Sequence, residues 1–245
     1  MSSKDNVSGF GIDVHVRTTR VDNLSMSFSY ISSAAVKIGE EVMEVSENDD
    51  IFFNKGYKVN FDAKSTVSFA GYTLTQSFKG RKRNIAVYSL DLLENGRSIE
   101  IRVNKNVGMV YVDIKGYFDD RIGLVGTSEQ DGLLLSRDRA VDLTGQWNTL
   151  GEEWQVRNTE PKLFRENRAP QYPAGCVYEQ IAKNANFRGG AREQANRRRL
   201  MDFNVVSRED AIKACSKSTV QFMEYCVDDV MVSGDVEVAE DSFYQ

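Results

Sequence analysis

Apolar and polar residues alternate over short stretches through the first part of the chain, and a spacing of two marks strands half-buried in a sheet. In Phe10–Arg17, Ile12, Val14 and Val16 share one face and Asp13, His15 and Arg17 the other. Met26–Ile31 repeats the pattern. Ala35-Val-Lys-Ile-Gly and Val42-Met-Glu-Val flank a turn at Gly39-Glu40-Glu41, and Ile51–Val59 reads as a hairpin turning at Asn54-Lys55-Gly56. Tyr88-Ser-Leu-Asp-Leu and Ile99-Glu-Ile-Arg-Val flank Asn95-Gly96, a pair that tolerates positive φ and so favours a tight hairpin. A further turn at Lys105–Gly108 leads into Met109-Val-Tyr-Val-Asp-Ile. Strands this short, with turns this frequent, predict a mainly β protein built as an antiparallel sandwich or barrel.

The period then changes. Pro161, Pro170 and Pro173 are the only prolines, and clustered proline marks an irregular connector. Beyond it, Ser207-Arg-Glu-Asp210 is a capping box that opens a helix running to about Lys217. Ser218–Gln221 offers a cap for a second helix, whose apolar positions Phe222, Met223, Cys226, Val227, Val230 and Met231 recur at three and four. Gly234 supplies its stop. The expected organisation is a β-sandwich over 9–158, a proline-containing connector with a basic segment over 159–206, a helical hairpin over 207–235 and an acidic tail over 236–245.

Composition removes several classes. Of 245 residues, 41% are hydrophobic and 27% charged, ordinary globular values that exclude a disordered tail, a collagen or a coiled coil. No apolar run is long enough for a membrane span, and the residues after Met1 lack the apolar core of a secretory signal. A net charge of −5 argues against nucleic acid as a partner. The charge is uneven. Arg188, Arg192, Arg197, Arg198 and Arg199 are opposed only by Glu193, while the chain from Glu224 onward carries carboxylates and no cation. Two solvated faces of opposite sign account for this, and a polyanion-binding strip centred on Arg197, Arg198 and Arg199 is the sharper alternative.

The three cysteines, Cys176, Cys215 and Cys226, are an odd number, so at least one is free or bonded outside the chain. None stands in a Cys-x-x-Cys pair, which argues against zinc. Cys215 and Cys226 would lie about 16 Å apart on one straight helix, too far to bond, whereas a hairpin of two helices would let them meet.

One set of motifs resembles a known family. Ile122-Gly-Leu-Val-Gly126, a loop, and then Leu150-Gly-Glu-Glu-Trp154-Gln-Val are similar to the Gly-Leu-Cys-Gly and Phe-Gly-x-Ser-Trp stretches of von Willebrand factor type D domains. Ser33–Val45 is similar to that family's Ile-x-Ile-Gly hairpin, and Ala214-Cys215 with Phe222-Met-Glu-Tyr-Cys226 resembles the helical cysteine-rich module that follows it. The low cysteine content is similar to variants in microbial eukaryotes, algae among them. The family's opening Gly-Asp-Pro-His motif has no match here, so the chain is expected to lack the first hairpin, and Val125 replaces a family cysteine.

The resemblance implies a non-enzymatic extracellular or cell-surface module that associates with other protein chains or with copies of itself. Cys215–Cys226 is the expected internal bridge, with Cys176 free or intermolecular, or else paired with the helical hairpin. The resemblance also points to a calcium loop, for which Glu129, Asp131, Asp138 and Asp142 are the available carboxylates; a solvated acidic loop is the plainer reading. Trp154 reads as core packing. Lone His15 reads as a surface residue, and no Gly-x-Ser-x-Gly elbow is present, so no catalytic residues are assigned. The alternative function is a glycan- or lipid-binding sandwich, with Phe52, Phe53, Tyr57, Phe61, Phe69 and Tyr72 as its aromatic supply.

Overall fold

The computed structural model describes residues 2–3, 11–22, 27–61, 65–79, 84–92, 96–105, 108–116, 118, 121–124, 126, 133–157, 159–166, 206–220 and 222–240. The chain is mainly β and forms two antiparallel sheets. The first contains β1 (Ser2–Ser3), β2 (Ile12–Asp22), β3 (Ser27–Ile38), β4 (Glu41–Ser46), β5 (Ile51–Phe53) and β6 (Tyr57–Lys58), side by side in chain order. The second contains β7 (Thr66–Phe69), β8 (Tyr72–Lys79), β9 (Ile85–Asp91), β10 (Ser98–Asn104) and β11 (Met109–Lys115), again in chain order. Within each sheet every strand thus pairs with its neighbours in sequence, the arrangement that closely spaced turns favour.

Two differences from the sequence pattern are informative. Ser27–Ile31 and Ala35–Ile38, which the alternation separates, belong to one long strand, β3, interrupted only by a register shift opposite Arg17/Thr18. The β7–β8 hairpin, turning at Ala70-Gly71, was hidden because Thr66–Lys79 mixes Thr and Ser with its apolar residues. Asn54 and Lys55 adopt the left-handed region at φ 48 and 62, which is what a tight β5–β6 turn needs. Gly116 is required for space as well as for its φ of 97: an added Cβ would stand 2.9 Å from the Arg97 Cα.

The inner faces of the two sheets share one core, with Ile12, Val36, Met43, Phe69, Tyr88 and Ile101 among its fully buried members. Each such side chain contributes roughly 1.5–3 kcal/mol by leaving water. Phe53 and Phe69 meet across it with ring centroids 5.0 Å apart. The expected aromatic supply is therefore divided: Phe69 and Tyr72 are buried, Phe53 and Phe61 pack against the core, and Tyr57 is 80% exposed.

One polar link crosses this core. The Tyr88 hydroxyl donates to Asp49 Oδ1 and accepts from Gln76 Nε2 at 3.0 Å. Asp49 Oδ2 lies 2.7 Å from Lys105 Nζ, which in turn sits 4.4 Å over the Phe78 ring. Asp49 belongs to the β4–β5 turn, whereas Tyr88, Gln76 and Lys105 belong to the second sheet and its turns. Burial, reinforced by the hydrogen bond to Asp49, pushes the Tyr88 phenol above its ordinary range. Burial beside Glu47 similarly pushes Tyr30 up to about 12.

The C-terminal helices form a separate small core. Helix α1 (Trp147–Glu153) precedes them, and α2 (Arg208–Ala214) and α3 (Met223–Ser233) are the hairpin. Ser207 caps α2 by accepting from the Asp210 amide at 3.1 Å, while its hydroxyl donates to Asp210 Oδ2 at 2.7 Å. Helix α3 has no side-chain cap, and it ends at Gly234 with φ 65. Ala211, Val227 and Val230 pack with a disulfide between Cys215 and Cys226. Val236–Glu240, the start of the stretch read as an acidic tail, forms a 3-10 turn whose Val238 and Ala239 complete that core.

A core this small leans on its cross-link. Closing a loop over a separation of 11 residues stabilises by about 3 kcal/mol. Cys215→Ser with Cys226→Ser is expected to raise amide exchange across 208–233 while β8–β10 keep their protection. Hydrogen–deuterium exchange measures both segments in one experiment.

Candidate functional site

The first sheet presents Asp13, His15, Arg17, Ala35, Val42, Glu44 and Phe52 away from the shared core, because successive strand residues point to opposite faces. Cross-strand pairing aligns His15 with Ala35, Ala35 with Glu44, and Glu44 with Phe52 in one row. This face is not left to solvent. Residues 160–166, which begin the stretch read as a connector, lie across it and are called the strap below.

Leu163 is buried against Ala35 and Val42, with Phe164 beside them. Polar contacts then tie the strap backbone to three separate parts of the sheet. Lys55 Nζ, in the β5–β6 turn, donates to the Lys162 carbonyl at 2.7 Å. The Arg165 amide donates to Glu44 Oε2 on β4 at 2.7 Å. Arg17 Nη2, on β2, donates to the Glu166 carbonyl at 2.7 Å. Two cation–ring contacts interlock the side chains: Arg17 lies 4.2 Å over Phe164, and Arg165 lies 3.5 Å over Phe52. The strap therefore runs across the strands, from the β5–β6 turn to β2.

Beside the strap, the segment 133–157 folds around Arg137. Its Nε donates to the Glu153 carbonyl at 2.7 Å and its Nη2 to the Gln155 carbonyl at 2.9 Å. Nη1 pairs with Glu160 Oε1, and the guanidinium lies 5.1 Å over Trp154. Trp154 packs against Leu134, Leu143 and Leu150, and its indole N–H donates to the Leu135 carbonyl at 3.0 Å. It is a half-buried anchor, whereas Trp147 at the start of α1 is 67% exposed. Burial works against ionisation of Glu160, but the Arg157 amide and the Arg137 guanidinium hold its carboxyl below the usual range.

The carboxylates considered for calcium divide. Asp138 accepts from Ser136 Oγ at 2.5 Å and from the Ala140 amide at 3.0 Å. Asp142 accepts from the Thr144 amide at 2.8 Å. These bonds lower both carboxyl pKa values, led by Ser136 for Asp138 and by the Thr144 side chain for Asp142. Both residues thus close turns on either side of the Leu135–Asp142 bridge. Glu129 and Asp131 lie outside the described residues, as do Cys176 and Arg197, Arg198 and Arg199. Among the described residues no group of three His, Cys, Asp or Glu is placed to hold a metal ion.

His15 departs from its expected exposure. It is half-buried, and its Nδ1 is shut off from solvent without a hydrogen-bond partner. Desolvation lowers its pKa from the ordinary 6.5; Arg137 lowers it further, while Asp13 and Glu160 oppose the shift. The reason lies in the cover over this face, which the alternation along β2 alone does not reveal.

Two measurements test this arrangement. Arg137→Ala removes hydrogen bonds worth about 1 kcal/mol each, so a loss of about 2–3 kcal/mol and a red shift of Trp154 fluorescence are expected. A histidine whose folded pKa is lowered stabilises the fold above its unfolded pKa and loses that stabilisation as pH falls through the folded value. Stability is therefore expected to decline on acidification below 6.5, and His15→Gln is expected to flatten that part of the profile. Denaturant melts across this pH range measure it, and an unchanged profile in the variant assigns the decline to other groups. Neither a family model nor a curated protein matches this chain.

Proposed function

We propose that this chain is a non-enzymatic association module of an extracellular or cell-surface protein, a type D-like sandwich carrying a helical hairpin, which joins other chains or copies of itself. The observation that carries the proposal is the Cys215–Cys226 disulfide, buried at the centre of the hairpin core. Such bonds persist in oxidising compartments and are rare where thiols are kept reduced. Among the described residues no helix is long and apolar enough to cross a membrane.

The chemistry of the side chains supports a binding role over a catalytic one. Arg137, Glu160, Arg17 and Glu44 are engaged in holding loops to the sandwich. The single imidazole has its Nδ1 buried without the orienting acid that a general base uses. Meanwhile Tyr57, Trp147 and Tyr225 are exposed by 80%, 67% and 62% on three different elements. Large aromatics are enriched at the centres of protein interfaces, where they bury much area at small entropic cost. Cys176 is the candidate for a covalent link between chains.

The test is intact mass with and without reduction, after thiol alkylation, on protein secreted from a eukaryotic host. The expected result is one internal bridge that blocks Cys215 and Cys226, with Cys176 either alkylated or joined to another chain. Three alkylated thiols on a stable monomer overturn the extracellular reading.

A further inference from the structure

We infer that the outer face of the first sheet is a peptide-binding groove, filled within the chain by Lys162-Leu-Phe-Arg-Glu166, and that its partner in trans is the same segment of a second copy. The inference names a surface for the association proposed above and rests on that reading for its use. The capacity of the groove to hold a peptide is tested separately.

Three features make this face a recognition surface rather than a resting place for a loop. First, the sheet reads the backbone of the strap with side chains from separate elements: Lys55 binds the Lys162 carbonyl, Glu44 the Arg165 amide and Arg17 the Glu166 carbonyl, each at 2.7 Å. Three such contacts fix direction and register of an extended segment. Second, the side-chain positions are specified. Leu163 is 4% exposed and packs in one buried cluster with Ala35 and Val42, a contact that suits an aliphatic side chain. Third, the charge pattern is complementary and crossed. The sheet offers Arg17 to the ring of Phe164, and the strap offers Arg165 to the ring of Phe52. A segment that fits must therefore present an aliphatic residue, an aromatic residue and an arginine in succession.

The second copy is the occupant because it carries this sequence and makes the same contacts when the strap opens. Exchange of an identical element between copies needs no new interface chemistry. The held strap competes at an effective concentration in the millimolar range, so the closed form predominates in a dilute intact chain, and exchange needs either a weakened strap or crowding of copies.

The experiment uses two full-length variants with complementary defects. Leu163→Asp with Phe164→Ala breaks the strap and leaves the groove; Glu44→Arg with Arg17→Ala breaks the groove and leaves the strap. Each alone is expected to run as a monomer by light scattering, and an equimolar mixture is expected to form a 1:1 heterodimer. A synthetic peptide of residues 160–167 is expected to dissolve that heterodimer, and to bind the strap-broken variant at least tenfold tighter than the intact chain, following the effective-concentration argument. A scrambled peptide of the same composition serves as control. Leu163→Ala, a milder break, is carried in parallel so that misfolding of the double variant does not decide the outcome.

A mixture that stays monomeric while circular dichroism shows both variants folded overturns the second copy as partner. Failure of the folded strap-broken variants to bind the peptide, or equal binding of the scrambled peptide, overturns the groove itself. Neither result touches the disulfide measurement, so the groove and the extracellular reading fail independently.

Discussion

Ala35 and Val42 are diagonal neighbours across β3 and β4 on the face of the first sheet that points away from the shared core. A two-layer sandwich would give those positions to water, yet both are buried, under Leu163. Apolar residues on the second face commit the chain to a third layer. The strap supplies it, and the strap must then be held in place at both ends. Arg17 and Lys55 do this near the edges of the sheet, and Arg137 fixes Glu160 where the strap begins. The loop 133–157, with Trp154 as its anchor, is in turn organised by that same arginine. Much of the described non-strand structure around the sandwich follows from the need to cover one face.

The ionised groups in this third layer differ in kind from surface ion pairs. An exposed pair such as Arg208–Glu224 adds little, because water already solvates both partners and salt screens them. Arg137, by contrast, spends its donors on two carbonyls and one carboxylate and stacks on an indole, so each donor replaces a specific water. Taking such charges from water costs nearly what the contacts return. What they contribute is one geometry for the segment, with Glu153, Gln155 and Glu160 placed by a single planar fork. Asp49 plays the corresponding part inside the sandwich, where it ties Tyr88 and Lys105 of the second sheet to a turn of the first.

The antiparallel strands were legible because alternation and turn residues are local signals. The Ser207 cap and the Gly234 stop were legible for the same reason, since a cap is read within four residues. The strap was not, because a segment without hydrogen-bonded regularity leaves no period in the sequence. A trace of it existed. Ala34-Ala35-Val36 and Val42-Met43 break the alternation with apolar residues at both parities, the mark of a strand buried on both faces. Ile85-Ala86-Val87 in β9 carries the same mark, and all three are buried. The pair Leu163-Phe164, read as connector, supplied the apolar half of the missing layer. Asp138 and Asp142 show one residue type open to two readings: acidic residues in a loop invite a metal reading, and an Asx turn uses the same oxygens on backbone amides two residues away.

The two cores also differ in what they need from their surroundings. The sandwich buries large side chains from two sheets, and that area is its main source of stability. Among the described residues the apolar core of the hairpin consists of Ala211, Cys215, Cys226, Val227, Val230, Val238 and Ala239, several of them small. A core of that size seldom holds two short helices together in water without a covalent staple. The disulfide therefore supplies a large share of what holds the hairpin in one geometry, and it forms where thiols oxidise. A module whose second part depends on oxidation, while its first part does not, would display Tyr225 and Ile212 on an ordered scaffold only after reaching such a compartment. On the extracellular reading proposed above, that ordering would couple the place where the chain resides to the surface it offers, which is the physical reason for proposing the disulfide as a functional feature rather than as reinforcement alone.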